Sequence, residues 1–492
     1  MNTYRDNMAT HAAAEVAAQE AEERNASRLS TLGNGDDGFR GIRICILVYF
    51  LLLIFEGALR KWVFPGLANP LLLVRDPVVA VCYFIALRNG KFPTGPFVMI
   101  ALFLGVISFM FSFFVNAGGS IQRILMVTGF GFHANFLHIP MIFLIRDAFD
   151  RDRLRLIGKW TLLIAPATAV LVFLQFRGAP DAFVNRGAGK DSGQIWIGIS
   201  GSDKVRPAGF FSYNTGNAAY LALVAAFLLN AMLTRKGLSK QLLVISGMSL
   251  AVAGSLSISR TAVMSIVVVF AGAVLCMLLA PRLATRSILI GFLVGVLYMV
   301  ASQFSVFGEA AGMLQTRVAE SGGLREGGAM RFLNGFIEPF QVLERAGFLG
   351  FGLGMGTNVA GGLLTGERAF LLAENEWSRH FLESGAFLGG MFILWRVALF
   401  FQLFRVSLAG IKSLNPLPML IFAASFLQVL SGPMGIPMTL GFVVMGAGMT
   451  LAAAKEREAG SDPEIAVVEV QSQPMARGRS AYAERLHSGQ VR

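Results

Sequence analysis

The stretch Gly95-Pro-Phe-Val-Met-Ile-Ala-Leu-Phe-Leu-Gly-Val-Ile-Ser-Phe-Met-Phe-Ser-Phe-Phe-Val115 contains no charged residue. A helix needs about 20 apolar residues to cross a bilayer core about 30 Å thick, so this run is long enough to span one. Outward from it, windows of the same kind fall at 41–59, 69–87, 122–145, 156–176, 214–234, 241–256, 261–280, 287–304, 381–404, 416–430 and 437–453. The expectation is an all-α polytopic membrane protein of about 12 transmembrane helices.

Composition agrees with that reading. Of 492 residues, 54% are hydrophobic and 15% charged, against about 25% charged in a soluble domain, so most of the surface has to face lipid. The net charge of +12 would suggest nucleic acid in a soluble chain. Here the Lys and Arg sit in short loops, where they satisfy the positive-inside rule and meet anionic headgroups. The partners implied are membrane lipids, with no nucleic acid. Cys45, Cys82 and Cys276 lie inside apolar runs without metal or disulfide spacing.

Charge also orients the chain. Arg88 and Lys91, the cluster Arg146, Arg151, Arg153, Arg155 and Lys159, then Arg235, Lys236 and Lys240, Arg282 and Arg286, and finally Arg405 and Lys412 all fall in loops on one side. That side is cytoplasmic by the positive-inside rule. Both tails, 1–40 and 455–492, are expected there and read as disordered or loosely helical; the first lacks the short apolar stretch of a signal peptide. Spans one to nine occupy 41–306 and spans ten to twelve 380–454. Between them, 307–379 forms the longest polar interruption, and a second long external segment covers 177–213.

The interruption is expected to be a helical cap on the external face. Phe332, Leu333, Phe336, Phe340 and Leu343 repeat at amphipathic-helix spacing, a glycine-dense turn follows at 347–356, and a second helix is expected from Arg368 into the tenth span. No repeat of 20–50 residues is apparent.

Two arginines open spans on the external side, where the positive-inside rule disfavours them: Arg206 in Val205-Arg-Pro-Ala-Gly-Phe-Phe-Ser-Tyr-Asn-Thr-Gly-Asn217 and Arg260 in Ser257-Ile-Ser-Arg-Thr-Ala262. Each alone is explained by interfacial anchoring; together they point to an anion, since guanidinium forks match phosphate oxygens. Arg331, with Arg317 and Arg325, adds charge on the cap, where a surface ion-pair network is the plainer explanation. Glu374, Glu376, Arg379, His380 and Glu383 crowd the start of the tenth span. A carboxylate or imidazole desolvated there can serve as a general base; the plain alternative is a solvated helix start. His133 and His138 read as interhelical hydrogen-bond partners, and Arg75 with Asp76 as an internal pair at a Pro-broken turn. No phosphate loop, HExxH or GxSxG is present.

In order, Arg-Pro-Ala-Gly-Phe-Phe at Arg206, Ser-Arg-Thr-Ala at Arg260, the segment from Arg331 to Gly350-Phe-Gly-Leu-Gly-Met-Gly356, Glu374-Asn-Glu-Trp377 and Leu382-Glu-Ser-Gly-Ala-Phe-Leu-Gly389 resemble the O-antigen ligase and Wzy-type polysaccharide polymerase family. Arg60-Lys-Trp-Val-Phe-Pro65 and Arg75-Asp-Pro77 look like a subgroup signature within the region of likeness, 57–390. The resemblance implies a metal-independent inverting glycosyltransferase of the bacterial inner membrane, without cofactors, working at the periplasmic face on polyprenyl-diphosphate-linked glycan donor and acceptor. It implies diphosphate binding by Arg206 and Arg260, with Arg331 beside them, and flippase and chain-length-regulating proteins as partners. Its product would be an exopolysaccharide, capsule or O-antigen chain. The alternatives are a ligase transferring glycan to lipid A core and, from another class, a lipid-linked glycan flippase. Glu374 stands where the family has a histidine, so the base is Glu374 or His380, with Glu376 beside them. His380, six residues on, lies about 240° around a continuous helix. Tyr213-Asn-Thr-Gly-Asn217 departs from the family's Asn-Pro-Asn and favours a polymerase.

Overall fold

With no water in a bilayer core, a spanning segment has to satisfy its own backbone, and a helix does so at every residue. The computed structural model describes residues 38–116, 120–189, 204–234, 238–284, 305–320, 331–357, 360–362, 372–373 and 375–455. These are overwhelmingly helical, with no strand among them. Among the described residues, eight helices are long and apolar enough to cross a membrane: α1 (Gly38–Val63), α2 (Pro70–Arg88), α3 (Pro96–Val115), α4 (Ile121–Ala148), α5 (Arg151–Arg177), α6 (Asn214–Thr234), α8 (Arg260–Leu279) and α11 (Glu376–Lys412). Three shorter apolar helices are α7 (Lys240–Leu256), α12 (Leu417–Ser431) and α13 (Pro437–Ala453). The long polar interruption contains α9 (Ser305–Glu320) and α10 (Arg331–Gln341).

Most of these helices coincide with an expected window to within about five residues; α11 runs to Lys412, eight residues past its expected end, and α9 (Ser305–Glu320) falls where no helix is expected. The expected ninth span at 287–304, the far tails, and all of 190–203 and 321–330 lie outside the described residues. So do 363–371, where a helix from Arg368 is expected; α11 begins later, at Glu376.

Two helices form the centre. The apolar window of α6 is 94% buried, against 22% for that of α8, so α6 is wrapped by protein while α8 turns most of its surface outward. α13 is buried along its whole length, packed on α4 and α12. Small residues allow that approach: a Cβ at Gly446 would overlap Ser425 of α12, and one at Gly448 would overlap Ile145 of α4. α6 packs on α8 and α12, α5 on α7, and α11 on α12 and α3.

Two helices loosen into π-turns, Leu59–Val63 at the end of α1 and His133–Leu137 within α4. Such turns concentrate at functional sites because they re-aim side chains. The first buries Arg60 and Lys61; the second buries His133 and Asn135.

Candidate functional site

α11 begins where the Asn375 side chain accepts the backbone N–H of Trp377 (3.0 Å) and Ser378 (3.4 Å), replacing bonds that a first helical turn lacks. Glu374 lies outside the described residues, and helical geometry starts only after Asn375. The relation of Glu374 to His380 therefore lies outside the described residues. From the cap, Glu376, Arg379, His380 and Glu383 follow at three- and four-residue spacing and share one inward face. All four are buried.

They form a closed network. Arg379 donates to both oxygens of Glu376 at 2.9 Å, to Glu383 at 2.9 Å and to the Asn135 side-chain oxygen of the α4 π-turn at 2.9 Å. Arg396, deep in α11, reaches Glu376 Oε1 at 3.2 Å. It also donates to the carbonyls of Gln428, Val429 and Gly432 at 2.9 Å each, so its charge sits on the carboxyl end of α12, where helix carbonyls are unpaired. Met434 N–H and His380 Nε2 complete the shell of Glu376 Oε1, at 2.9 and 3.2 Å. Of the three residues marked in the sequence around the base, Glu376 and His380 thus come together, and Glu374 lies outside the described residues. Glu376 Oε1 is saturated by donors, and His380 Nε2 faces Glu376 and Arg396.

The glycine-dense turn closes this region. α11 breaks at Gly385, with φ 75° and ψ 175°, and the turn enters the break: Phe351 and Gly352 donate to the carbonyls of Leu382 and Glu383, and Ala386 donates to Gly347 O. A Cβ on Gly385 would overlap the Phe348 carbonyl. Gly356 N–H reaches Glu383 at 2.9 Å, and Leu353 N–H reaches Ser112 at 2.7 Å.

A second cluster surrounds Arg206. Lys61, buried in the α1 π-turn, donates to the carbonyls of Gly209 (2.7 Å) and Phe211 (2.9 Å), and Arg60 donates to Ser212 (2.9 Å). Gln175 closes two bonds to the Gly209 backbone. The Arg60-Lys61 pair therefore acts as a clamp on the Arg206 segment. Lys61, Arg186 and Arg206 line a cavity of about 20 Å³ with Gln175, Asn185 and Ser212, and no carboxylate is among its described lining residues. That is roughly the room of one water, a seat for a single oxygen. Arg206 is half-buried and its Nε, shut from solvent, has no hydrogen-bond partner. Burial, and after it the like charge of Arg260, pushes its guanidinium below its usual pKa. Arg260 begins α8 just after Ile258, a β-branched residue held at φ 46°, a conformation that costs energy and clusters at functional sites. Beside the cavity an apolar groove runs over Trp62, Pro166, Val170, Leu174, Phe183 and Phe210. Arg331 opens α10, but its side chain is outside the described residues, as are the side chain of Arg317 and all of Arg325.

Arg75 and Asp76 do not form the internal pair expected from their adjacency. Consecutive residues point different ways, and Arg75 reaches Glu56 (3.4 Å), the Tyr49 hydroxyl (3.3 Å) and Pro437 O. Asp76 turns to His138 (3.1 Å), which is hydrogen-bonded between helices as expected, and to His133 (2.8 Å), whose ring nitrogens make no hydrogen bond. Residues missed in the sequence are Glu56, Asn135 and Arg396. Glu56 and Arg396 carried a usable signal, an ionisable group inside an apolar run; Asn135 carried none.

A scan against protein-family models finds no match to this chain, and searches of curated proteins and of solved structures find none either.

Proposed function

We propose that this chain is a membrane glycosyltransferase that joins polyprenyl-diphosphate-linked repeat units into a polysaccharide at the periplasmic face of the bacterial inner membrane. About twelve spans, counting the three shorter helices and the window at 287–304, carry it, with both termini cytoplasmic. The observation that carries the reading is the half-buried Arg206, whose Nε lacks a hydrogen-bond partner, beside Arg260 and lining with Lys61 and Arg186 a cavity that has no carboxylate among its described lining residues. Cations gathered at a cavity whose described lining holds no carboxylate call for an anion, and a guanidinium suits diphosphate oxygens. The apolar groove alongside suits the lipid tail of the same donor.

The chemistry is a displacement. An acceptor hydroxyl oxygen attacks the anomeric carbon, the bond from that carbon to the diphosphate breaks, and the diphosphate leaves with the electron pair. Fixed guanidinium groups at Arg206 and Arg260 stabilise the developing charge without reorganising, a large term in a water-poor site. The hydroxyl proton passes to Glu374 in this reading, because Glu376 and His380 are already engaged with Arg379 and Arg396. The saturated network acts as scaffold.

Purified full-length protein supplied with lipid-linked repeat units in liposomes should form glycosidic bonds and release polyprenyl diphosphate. Movement of the lipid-linked glycan across the bilayer without bond formation would instead assign a flippase. Polymer of normal length that fails to reach lipid A core after gene deletion would assign a ligase.

A further inference from the structure

We infer that Asp76, His133 and His138 form a binding site for a first-row divalent transition metal ion, of which Zn²⁺ is the probe. The site is separate from the chemistry proposed above. α2 supplies the carboxylate and α4 both imidazoles, one at each edge of the π-turn His133–Leu137. Among the described residues this is the group of His, Cys, Asp or Glu side chains with metal-ligand spacing, its donor atoms all within 4.8 Å of one another. Two imidazoles and a carboxylate make a recurrent donor set for such ions, with further positions left for water.

Hydrogen bonding alone does not account for the cluster. His133 Nδ1 lies 2.8 Å from Asp76 Oδ2, yet both ring nitrogens of this buried side chain lack a hydrogen-bond partner of acceptable geometry. Its ring direction misses the carboxylate oxygen. Around a shared ion that is the expected aim, because a ligand's lone pair points at the metal and not at the neighbouring ligand. With metal–ligand bonds of about 2.0–2.2 Å, donor atoms separated by 2.8 and 3.1 Å need only small shifts to share one ion. One ligand is already held from behind: His138 Nδ1 faces the Tyr49 hydroxyl at 2.9 Å, leaving Nε2 directed to Asp76. Such a partner holds a ligating imidazole in place. Arg75, the nearby cation, is drawn to Glu56 at 3.4 Å. Asp76 is 23% exposed, which leaves the ion a way in. Bound there, the ion would staple α2 to the α4 π-turn.

The test is calorimetric titration of untagged full-length protein with Zn²⁺, together with the visible spectrum of the Co²⁺-loaded protein. Saturable binding of one ion per chain is expected, with a Co²⁺ spectrum of nitrogen and oxygen ligation, unchanged in a His11→Ala/His487→Ala variant. His133→Ala should weaken binding beyond the roughly 10–100-fold that loss of a hydrogen-bond partner behind a ligand produces, and Tyr49→Phe by about 10–100-fold. Absence of saturable binding to the wild-type chain overturns the site, as does affinity that survives His133→Ala. If that variant does not fold, undiminished affinity in Tyr49→Phe overturns it equally.

Discussion

Two groups of buried charge lie at helix ends in this molecule and are treated in opposite ways. Around Glu376, every cation has a carboxylate or a ring of carbonyls, and the helix carbonyls of Gln428 and Val429 are answered by Arg396. Around Arg206, Arg60 is taken up by Glu56 and Ser212 and Lys61 by backbone carbonyls, while Arg206 itself keeps an unpaired Nε against the like charge of Arg260. A saturated network specifies one packing; an unsaturated one stores affinity for something absent from the chain.

That contrast can be broken from either side. The largest effect is expected in the saturated network: Arg379→Ala leaves Glu383 buried without a cation and Glu376 with Arg396 alone among the arginines, a loss of about 3–5 kcal/mol, read as failure to accumulate folded protein in detergent. Next, Glu374→Gln should lower polymer formation by about 10²–10⁴-fold, the range for a general base, in protein that folds normally, and should be far more damaging to turnover than His380→Ala; the reverse ranking in a kinetic assay moves the base to His380. Arg206→Ala should cost about 10²–10³-fold in rate, the loss typical of one donor to a developing anion, with unchanged thermal stability. If it instead destabilised the protein as Arg379→Ala does, the two regions would not differ in kind. Gly385→Ala forces a Cβ into the Phe348 carbonyl at positive φ, for about 1–3 kcal/mol of strain, visible as a lower unfolding midpoint. Smallest is Asn375→Ala, which removes the α11 cap and should cost about 1 kcal/mol in the same measurement.

Legibility divided along the same line. Arg206 and Arg260 stood out in the sequence because their position in a membrane topology was improbable without a partner. The crowd from Glu374 to Glu383 stood out as well, but its meaning did not: helical spacing put Glu376, Arg379, His380 and Glu383 on one face, while Arg396, Asn135 and Met434, which saturate them, lie 16 to 244 residues from them in the chain. Arg75 and Asp76 misled by adjacency, since consecutive residues on a helix point in different directions. Arg60-Lys-Trp-Val-Phe-Pro65 was conspicuous as a motif, and only the contacts to Gly209, Phe211 and Ser212 made it a clamp.

The chain by itself determined where its helices run, because the cost of exposing a polar backbone to hydrocarbon is set locally, residue by residue, over a window of about 20. It also determined that charge would be scarce and its placement informative. Only the tertiary structure decided which of those charges neutralise one another and which are left open. Pairing depends on helix packing, and packing brings Arg75 to Pro437 and Arg60 to Ser212 across distances that no local window contains.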